Sequence, residues 1–256
     1  MKTVILCGGR GFRLQEETEY KPKPLVAVGG KPILWHIMRM YSYYGIREFV
    51  LCLGYRGEMV KDYFANYDMM NEDFTVVLGK RHTIVRENSH NEQDYCVTLA
   101  DTGLETLTGG RIKRIERYID EDNFMVTYGD GLADLDIGKL IEFHLRHGKL
   151  ATVTAVHPIS RWGVLGIDED GRVTKFSEKP IENDWISAGF FVFNRKIFDY
   201  IEDDKSILER NPLHQISDEG QLMAFKHEGF FYTMDTYKDY VYLNELWDKG
   251  EAKWIK

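Results

Sequence analysis

The sequence predicts an α/β protein with a mainly parallel central sheet and a smaller β-rich portion towards the C-terminus. Three observations carry this expectation. The first half alternates short apolar runs with segments of helical period, the pattern of βαβ units. The first apolar run passes directly into a glycine-rich loop, and from Ala151 onwards the chain becomes a series of short strand-like runs separated by turns.

Thr3–Cys7 reads as a strand. Ile33–Tyr44 reads as a helix, opened by Pro32, whose fixed φ suits a first helical turn, and closed near Gly45. Glu48–Leu53 is the next strand and Gly57–Tyr67 the next helix. Phe74–Leu78 and Tyr95–Leu99 read as further strands, separated by the polar stretch Lys80–Asp94, which is long for a connection and suits an active-site flap or an oligomer contact. Gly109 and Gly110 precede the helix-period run RIKRIERYI, Phe124–Tyr128 is a strand ending in Gly129-Asp130-Gly131, and helix Ile137–Arg146 follows. Beyond it ATVTAV, GVLGI, RVTKF and ISAGFFVFN read as strands, and Tyr237–Lys249 as the last helix.

At 256 residues the chain fits one domain, able to bury roughly 70–75% of its unfolded surface. Its 41 acidic residues outnumber 33 Lys and Arg, a net charge of −8. That excludes a nucleic-acid polymer or an anionic membrane as the main partner, since both need a basic footprint, while leaving room for a small anionic substrate. Cys7, Cys52 and Cys96 are odd in number and lack any C-x-x-C pairing, which fits free buried thiols. The N-terminus has no signal-peptide core and no apolar run reaches the roughly 20 residues of a membrane span, so a cytoplasmic protein is expected.

Gly8-Gly9-Arg10-Gly11-Phe12-Arg13-Leu14 directly follows the first strand. Glycines allow a sharp turn that presents successive N–H groups, a cradle for phosphate oxygens. A dinucleotide-binding fingerprint fails because Leu14 stands where glycine is needed and no acid ends the second strand. A Walker A loop fails because Gly30-Lys31 is followed by Pro32. Arg13 and the run Lys21-Pro22-Lys23-Pro24 add cations, and prolines flanking Lys23 stiffen the chain that aims it. Lys21 reads equally well as solvated decoration. Asp130, at a strand end between glycines, sits where open α/β sheets place ligands. Asp235, just before the last helix, is a second acid that serves either as a turn residue or as a metal ligand. Asp134 and Asp136 form a D-x-D pattern open to a glycosyltransferase reading, but Asp136 directly precedes a helix and suits an N-cap. His144 and His147 share a helix face without metal-ligand spacing and read as solvated.

The run GGRGFRL…KPKPLVAVGGKPILWHIM resembles the G-x-G-T-R-L…K-P signature of the sugar-nucleotide pyrophosphorylases. GYRGEMVKDYF, DTGLETLTGGRIKRI, YGDGLADLDI, FSEKP, GFFVFN, GQLMAF and GFFYTMDT follow in the order of that family's glucose-1-phosphate cytidylyltransferase branch, so the likeness spans nearly the whole chain. It implies a Rossmann-like sheet of the nucleotide-diphospho-sugar transferase type, with residues up to about 148 serving the nucleotide and the rest the sugar phosphate. It implies transfer of CMP from CTP to a sugar 1-phosphate, most simply glucose 1-phosphate, in nucleotide-sugar biosynthesis, by a homo-oligomer (a hexamer or trimer-based assembly).

By that resemblance Leu6, Gly8, Gly9, Gly11, Phe12, Arg13, Lys23, Thr108, Gly110, Arg111 and Asp130 line the nucleotide site, with Arg13 and Lys23 catalytic. Arg111, a pure donor, would face the O2 and N3 acceptors of cytosine. Tyr128, Glu178, Lys179, Ser187, Ala188 and Gly189 would hold the sugar phosphate, and Asp130 with Asp235 a Mg²⁺ ion. The sugar phosphate is itself the nucleophile, so catalysis reduces to positioning and charge neutralisation. A paralogue that only bound nucleotide would have lost Lys23 or the acids, and all three are present. The chain departs from the family at Phe12, where threonine is usual, at Ser187-Ala188 in place of Asn-Gly, and at Trp162, Val164, Phe231 and Tyr232, all in segments expected to face the substrates. These departures leave open which phosphorylated acceptor is preferred.

Overall fold

A computed structural model describes residues 1–11, 14–77, 83–86, 94–160 and 162–256. In chain order its principal elements are β1 (Thr3–Cys7), α1 (Ile33–Ser42), β2 (Glu48–Leu53), α2 (Gly57–Ala65), β3 (Cys96–Asp101), α3 (Thr108–Arg114), β4 (Asn123–Tyr128), β5 (Gly131–Ala133), α4 (Ile137–His147), β6 (Ala151–Val156), β7 (Val164–Ile167), β8 (Val173–Ser177), β9 (Ile186–Asn194), α5 (Asn211–Asp218), β10 (Leu222–Lys226), β11 (Phe231–Thr233) and α6 (Tyr237–Asp248). Seven strands form one sheet in the order β10-β6-β9-β4-β1-β2-β3. All its pairings are parallel except those of β9, which runs against both β4 and β6. The predicted α/β fold on a mainly parallel sheet is therefore present, and the β-rich second half adds three strands to that same sheet. β7 and β8 stand apart as an antiparallel hairpin.

Strand periodicity splits the core into two layers. Ile5, Leu51 and Met125 pack on one face against Ile33, Ile37 and Tyr41 of α1 and Leu140 of α4. Val4, Val50 and Val126 point to the other face, against Ile112 of α3, Phe198 and Ile216 of α5. Both faces are covered, which is why these strands are continuous apolar runs rather than alternating ones.

Boundaries shift where polar side chains compete for the backbone. The helix expected over Gly57–Tyr67 stops at Ala65, because the side chain of Asn66 donates to the Asp62 carbonyl at 2.9 Å, and a separate short helix, Tyr67–Asn71, follows. Of the polar stretch from Lys80 to Asp94, Thr83–Arg86 pairs antiparallel with Phe74–Val77, and most of the remainder lies outside the described residues. Cys96 is exposed because β3 is the sheet edge, so the expectation of buried thiols holds for Cys7 and Cys52 alone. No described helix is long and apolar enough to cross a membrane.

The histidine reading needs correction. His144 is only 2% exposed. It sits 2.9 Å from Thr152 Oγ1 and 3.1 Å from Asn123 Oδ1, tying α4 to the sheet, and His147 also meets Thr152 Oγ1 at 2.7 Å. His36 on α1 is fully buried. Trp254 Nε1–H donates to its Nδ1 at 3.1 Å, which leaves the proton on Nε2 to donate to the Val28 carbonyl at 2.8 Å. The C-terminus is thereby locked onto the first helix.

Burial pushes the pKa of both His36 and His144 from 6.5 down to about 4. The unfolded chain thus takes up protons below pH 6.5 that the folded chain refuses. Stability should be complete above pH 6.5 and fall by about 1.4 kcal/mol per pH unit per histidine as the pH drops towards 4. Denaturant unfolding between pH 7.5 and 4.5 checks this: a flat stability profile across that range is the contrary result.

Candidate active site

The loops that follow β1, β2, β3 and β4 gather at the carboxyl edge of the sheet, where open α/β folds bind ligands. Leu6 pairs with Tyr128 across β1 and β4, so the glycine loop and Asp130 leave adjacent strands at the same level. β5 begins directly after Asp130 and pairs antiparallel with β11, Gly131 opposite Thr233. Met234 N–H then donates to the Asp130 carbonyl at 2.9 Å. This register carries the chain into Asp235 beside Asp130.

A capping box fixes Asp235 further. Thr236 caps α6, and the Asp239 carboxylate accepts from the backbone N–H groups of Thr236 at 2.8 Å and Asp235 at 3.1 Å. The same helix grips the segment that bears Lys23. Asn244 Oδ1 accepts from Gly29 N–H at 2.9 Å. Pro22 is extended, with φ −67° and ψ 147°, and Lys23–Leu25 makes one turn of 3₁₀ helix that projects the lysine towards the acids.

The three side chains converge. Lys23 Nζ lies 2.6 Å from Asp130 Oδ2 and 3.0 Å from Asp235 Oδ1, with side-chain exposures of 13%, 25% and 12% for Lys23, Asp130 and Asp235. The two carboxylates thus share the Lys23 ammonium. Among the described residues no cluster of three or more His, Cys, Asp or Glu could hold a metal. A pair of carboxylates nevertheless fits Mg²⁺, which keeps several waters and takes its other ligands from phosphates.

Lys21 pairs with Glu17 at 3.1 Å, the decorative reading. Asp136 accepts from Lys139 N–H at 2.9 Å as the N-cap of α4, and Asp134 faces His227 at 3.0 Å. Asp136 is thus spent on capping α4, and Asp134 packs against His227. Phe12 and Arg13 lie outside the described residues.

Arg111, expected from the resemblance as a donor to the base, is held inside the protein by backbone carbonyls. It is 5% exposed. Nη1 donates to the Leu53 carbonyl, Thr102 Oγ1 and the Gly103 carbonyl at 3.1, 2.8 and 2.7 Å, and Nη2 to the Gly8 and Leu104 carbonyls at 3.2 and 3.3 Å. A Cβ on Gly8 would fall 2.1 Å from Nη1, and one on Gly54 2.6 Å from it. Gly8 is therefore glycine because a guanidinium fills its side-chain space. Arg111 staples together the loops after β1, β2 and β3. Burial lowers its pKa, yet it stays charged at any physiological pH.

Thr108 and Gly110 open α3, packed so tightly on the loop 203–206 that a Cβ on Gly110 would lie 2.6 Å from Asp204 Cα. Thr108 Oγ1 donates to Glu209 Oε2 at 2.7 Å, and the Tyr128 hydroxyl meets the other oxygen of Glu209. Glu209 thus links the expected nucleotide and sugar sides. No sequence signal singled it out, because it comes from a loop far from either motif.

β9 brings Ser187, Ala188 and Gly189 to Tyr128: Phe190 pairs with Thr127, and a Cβ on Gly189, at φ 76°, would meet the Tyr128 ring at 2.1 Å. Glu178 and Lys179 end the β7–β8 hairpin, face solvent, and pair with each other at 3.7 Å. Lys179 adopts φ 45°, a left-handed conformation that costs a side-chain-bearing residue roughly 1 kcal/mol or more.

Replacing Arg111 should cost stability whatever its role with substrate. Arg111→Lys cannot serve five oxygens with three protons, so unfolding free energy should fall by about 2–4 kcal/mol. Denaturant unfolding of the variant without ligands tests this, and an unchanged midpoint would contradict the staple.

Residues 2–236 match the nucleotidyl transferase family. The glucose-1-phosphate cytidylyltransferase of Salmonella typhi is 49% identical over 256 residues, covering 99% of this chain and 98% of that protein. A probable glucose-1-phosphate cytidylyltransferase of Bacillus subtilis is 42% identical over 263 residues, covering 99% of each. Among solved structures, HddC from Yersinia pseudotuberculosis superposes with a TM-score of 0.68 at 26% identity, over 96% of this chain and 99% of that one.

Proposed function

The chain belongs to the nucleotidyl transferase family, and from that premise we propose that it transfers CMP from CTP to glucose 1-phosphate, giving CDP-glucose and pyrophosphate. The observation that carries the reading is the pair of carboxylates closed on one cation beside the glycine loop, in a chain so closely related to proteins named for that reaction.

The acceptor phosphate is ionised at neutral pH, so its oxygen attacks the α-phosphorus of CTP in line and the bond to the β-phosphate breaks. No protein nucleophile is required. Burial holds Cys52 up to about 12 and raises Cys7 further from reactivity, in keeping with that. Asp130 and Asp235 would hold Mg²⁺, which when bound supplies charge neutralisation for the phosphate oxygens. Lys23 binds the α-phosphate and Arg13 the departing phosphates. The backbone N–H groups of Gly8, Gly9 and Gly11 orient the triphosphate. Arg111 reads cytosine by exchanging its contacts to the Gly103 and Leu104 carbonyls for O2 and N3 of the base. Tyr128, Ser187, Ala188 and Gly189 border the hexose, with Glu178 on its hydroxyls and Lys179 on its phosphate.

We further propose that the protein works in the cytoplasm as a homo-oligomer, trimer-based or hexameric. The β7–β8 hairpin leaves Ile167 61% and Phe176 65% exposed, and Trp162 next to it 75%. A two-stranded hairpin with so much uncovered apolar surface is marginal alone and gains by packing on a second copy.

A matrix of the four ribonucleoside triphosphates and dTTP against several sugar 1-phosphates, read by pyrophosphate release, should show CTP with glucose 1-phosphate turned over best. Equal turnover with UTP or dTTP would overturn the assignment. Asp130→Asn and Asp235→Asn should each lower kcat by ~10²–10³, the scale of losing a preorganised charge stabiliser, with melting temperatures close to the parent because Lys23 keeps one partner. Full activity in either variant would remove that residue from the mechanism.

A further inference from the structure

We infer that Lys23 is a resident placeholder for the divalent cation, and that it must leave the carboxylate pair before a metal can enter. This rests on the metal reading of Asp130 and Asp235 proposed above, and adds the order in which cations occupy the site. The ammonium lies within 3.0 Å of both acids and is itself largely buried. Without it, two like charges would lie close together at low exposure, an arrangement that favours a cation between them. With it, both carboxylates share one ammonium, at 2.6 and 3.0 Å.

The lysine and the metal cannot share that space, since both are cations seeking the same oxygens. A metal arriving alone must therefore drive a largely buried ammonium off both of its carboxylates. A nucleotide triphosphate changes the balance, because its α-phosphate accepts the displaced ammonium while its oxygens complete the metal's coordination. Metal and nucleotide binding are thereby coupled through one side chain, and by linkage each strengthens the other. The arrangement keeps the acids preorganised without committing the free protein to a metal. Lys23 has two stations, the acid pair and the α-phosphate.

Removing the placeholder should open the site to metal in the absence of nucleotide. Nucleotide-free protein is titrated with Mn²⁺, and the unbound ion is read by electron paramagnetic resonance. Lys23→Met should bind one Mn²⁺ at least about tenfold more tightly than the unmutated protein, within the usual range of coupling between two sites. Asp235→Asn added to Lys23→Met should abolish the gain. Lys23→Gln serves as a second variant, and melting curves guard against misfolding: Mn²⁺ should raise the melting temperature of either lysine variant more than that of the parent. Equal Mn²⁺ affinity in the parent and both variants overturns the placeholder role while leaving the metal site itself standing. A gain that survives Asp235→Asn places the ion elsewhere and overturns both.

Discussion

The antiparallel pairing of Gly131 with Thr233 sets the distance between Asp130 and Asp235, two acids far apart in the chain. A slip of one residue would turn one carboxylate to the other face of the ladder. Only with that register in place can a single ammonium reach both acids, and only then does the capping box of α6 hold Asp235 where it is useful. α6 also grips Gly29 through Asn244, so the segment carrying Lys23 and the segment carrying Asp235 are braced by one helix. The backbone segments that bear the lysine and the acids are therefore braced together, while the lysine side chain keeps its own freedom. Positioning is the main thing a protein contributes to nucleotidyl transfer, and a short ladder, a capped helix and a proline-stiffened turn suffice for it here.

A second constraint lies next to the first. The carboxyl ends of β1, β2 and β3 bring several backbone carbonyls together, and Arg111 supplies the donors that satisfy them. Gly8 and Gly54 lack side chains so that the guanidinium can lie between them. The loop expected to cradle phosphate is thus shaped from below by an arginine. The residue that would read the base also maintains the floor of its own pocket, which joins stability to specificity at one position.

Further stability is gathered away from this edge. The layers of Val4 and Ile5 on the two faces of the sheet, the seal of Trp254 over His36, and the tie of His144 to Thr152 fix the helices against the strands. Both buried histidines are satisfied while neutral, so their contribution holds at neutral pH. The β7–β8 hairpin is the opposite case, exposed on both faces and carrying Glu178 and the strained Lys179. The half of the site expected to hold the sugar phosphate is therefore the less rigidly built half.

Much of the fold was legible in the amino-acid order because local physics decides it. The parallel strands are runs of apolar residues too short for helices, Pro32 and Asp136 mark helix starts, and Gly45 marks a stop. The glycine loop, Lys23 between its prolines, Asp130 at a strand end and Asp235 before a helix were likewise visible as chemistry. What pairing in space decided was not legible. The three-residue strands β5 and β11 are too short for any periodicity, yet they bring the acids together. Arg111 could be read only as a donor in search of an acceptor, since the carbonyls it serves come from three separate loops. Glu209 and Trp254 carry no motif, and His144 reads as solvated until the sheet packs beneath it. The sequence by itself determined the residue types and the elements that bear them; the tertiary structure alone decided which of them share a space, because contact across the fold depends on register and packing rather than on neighbours in the chain.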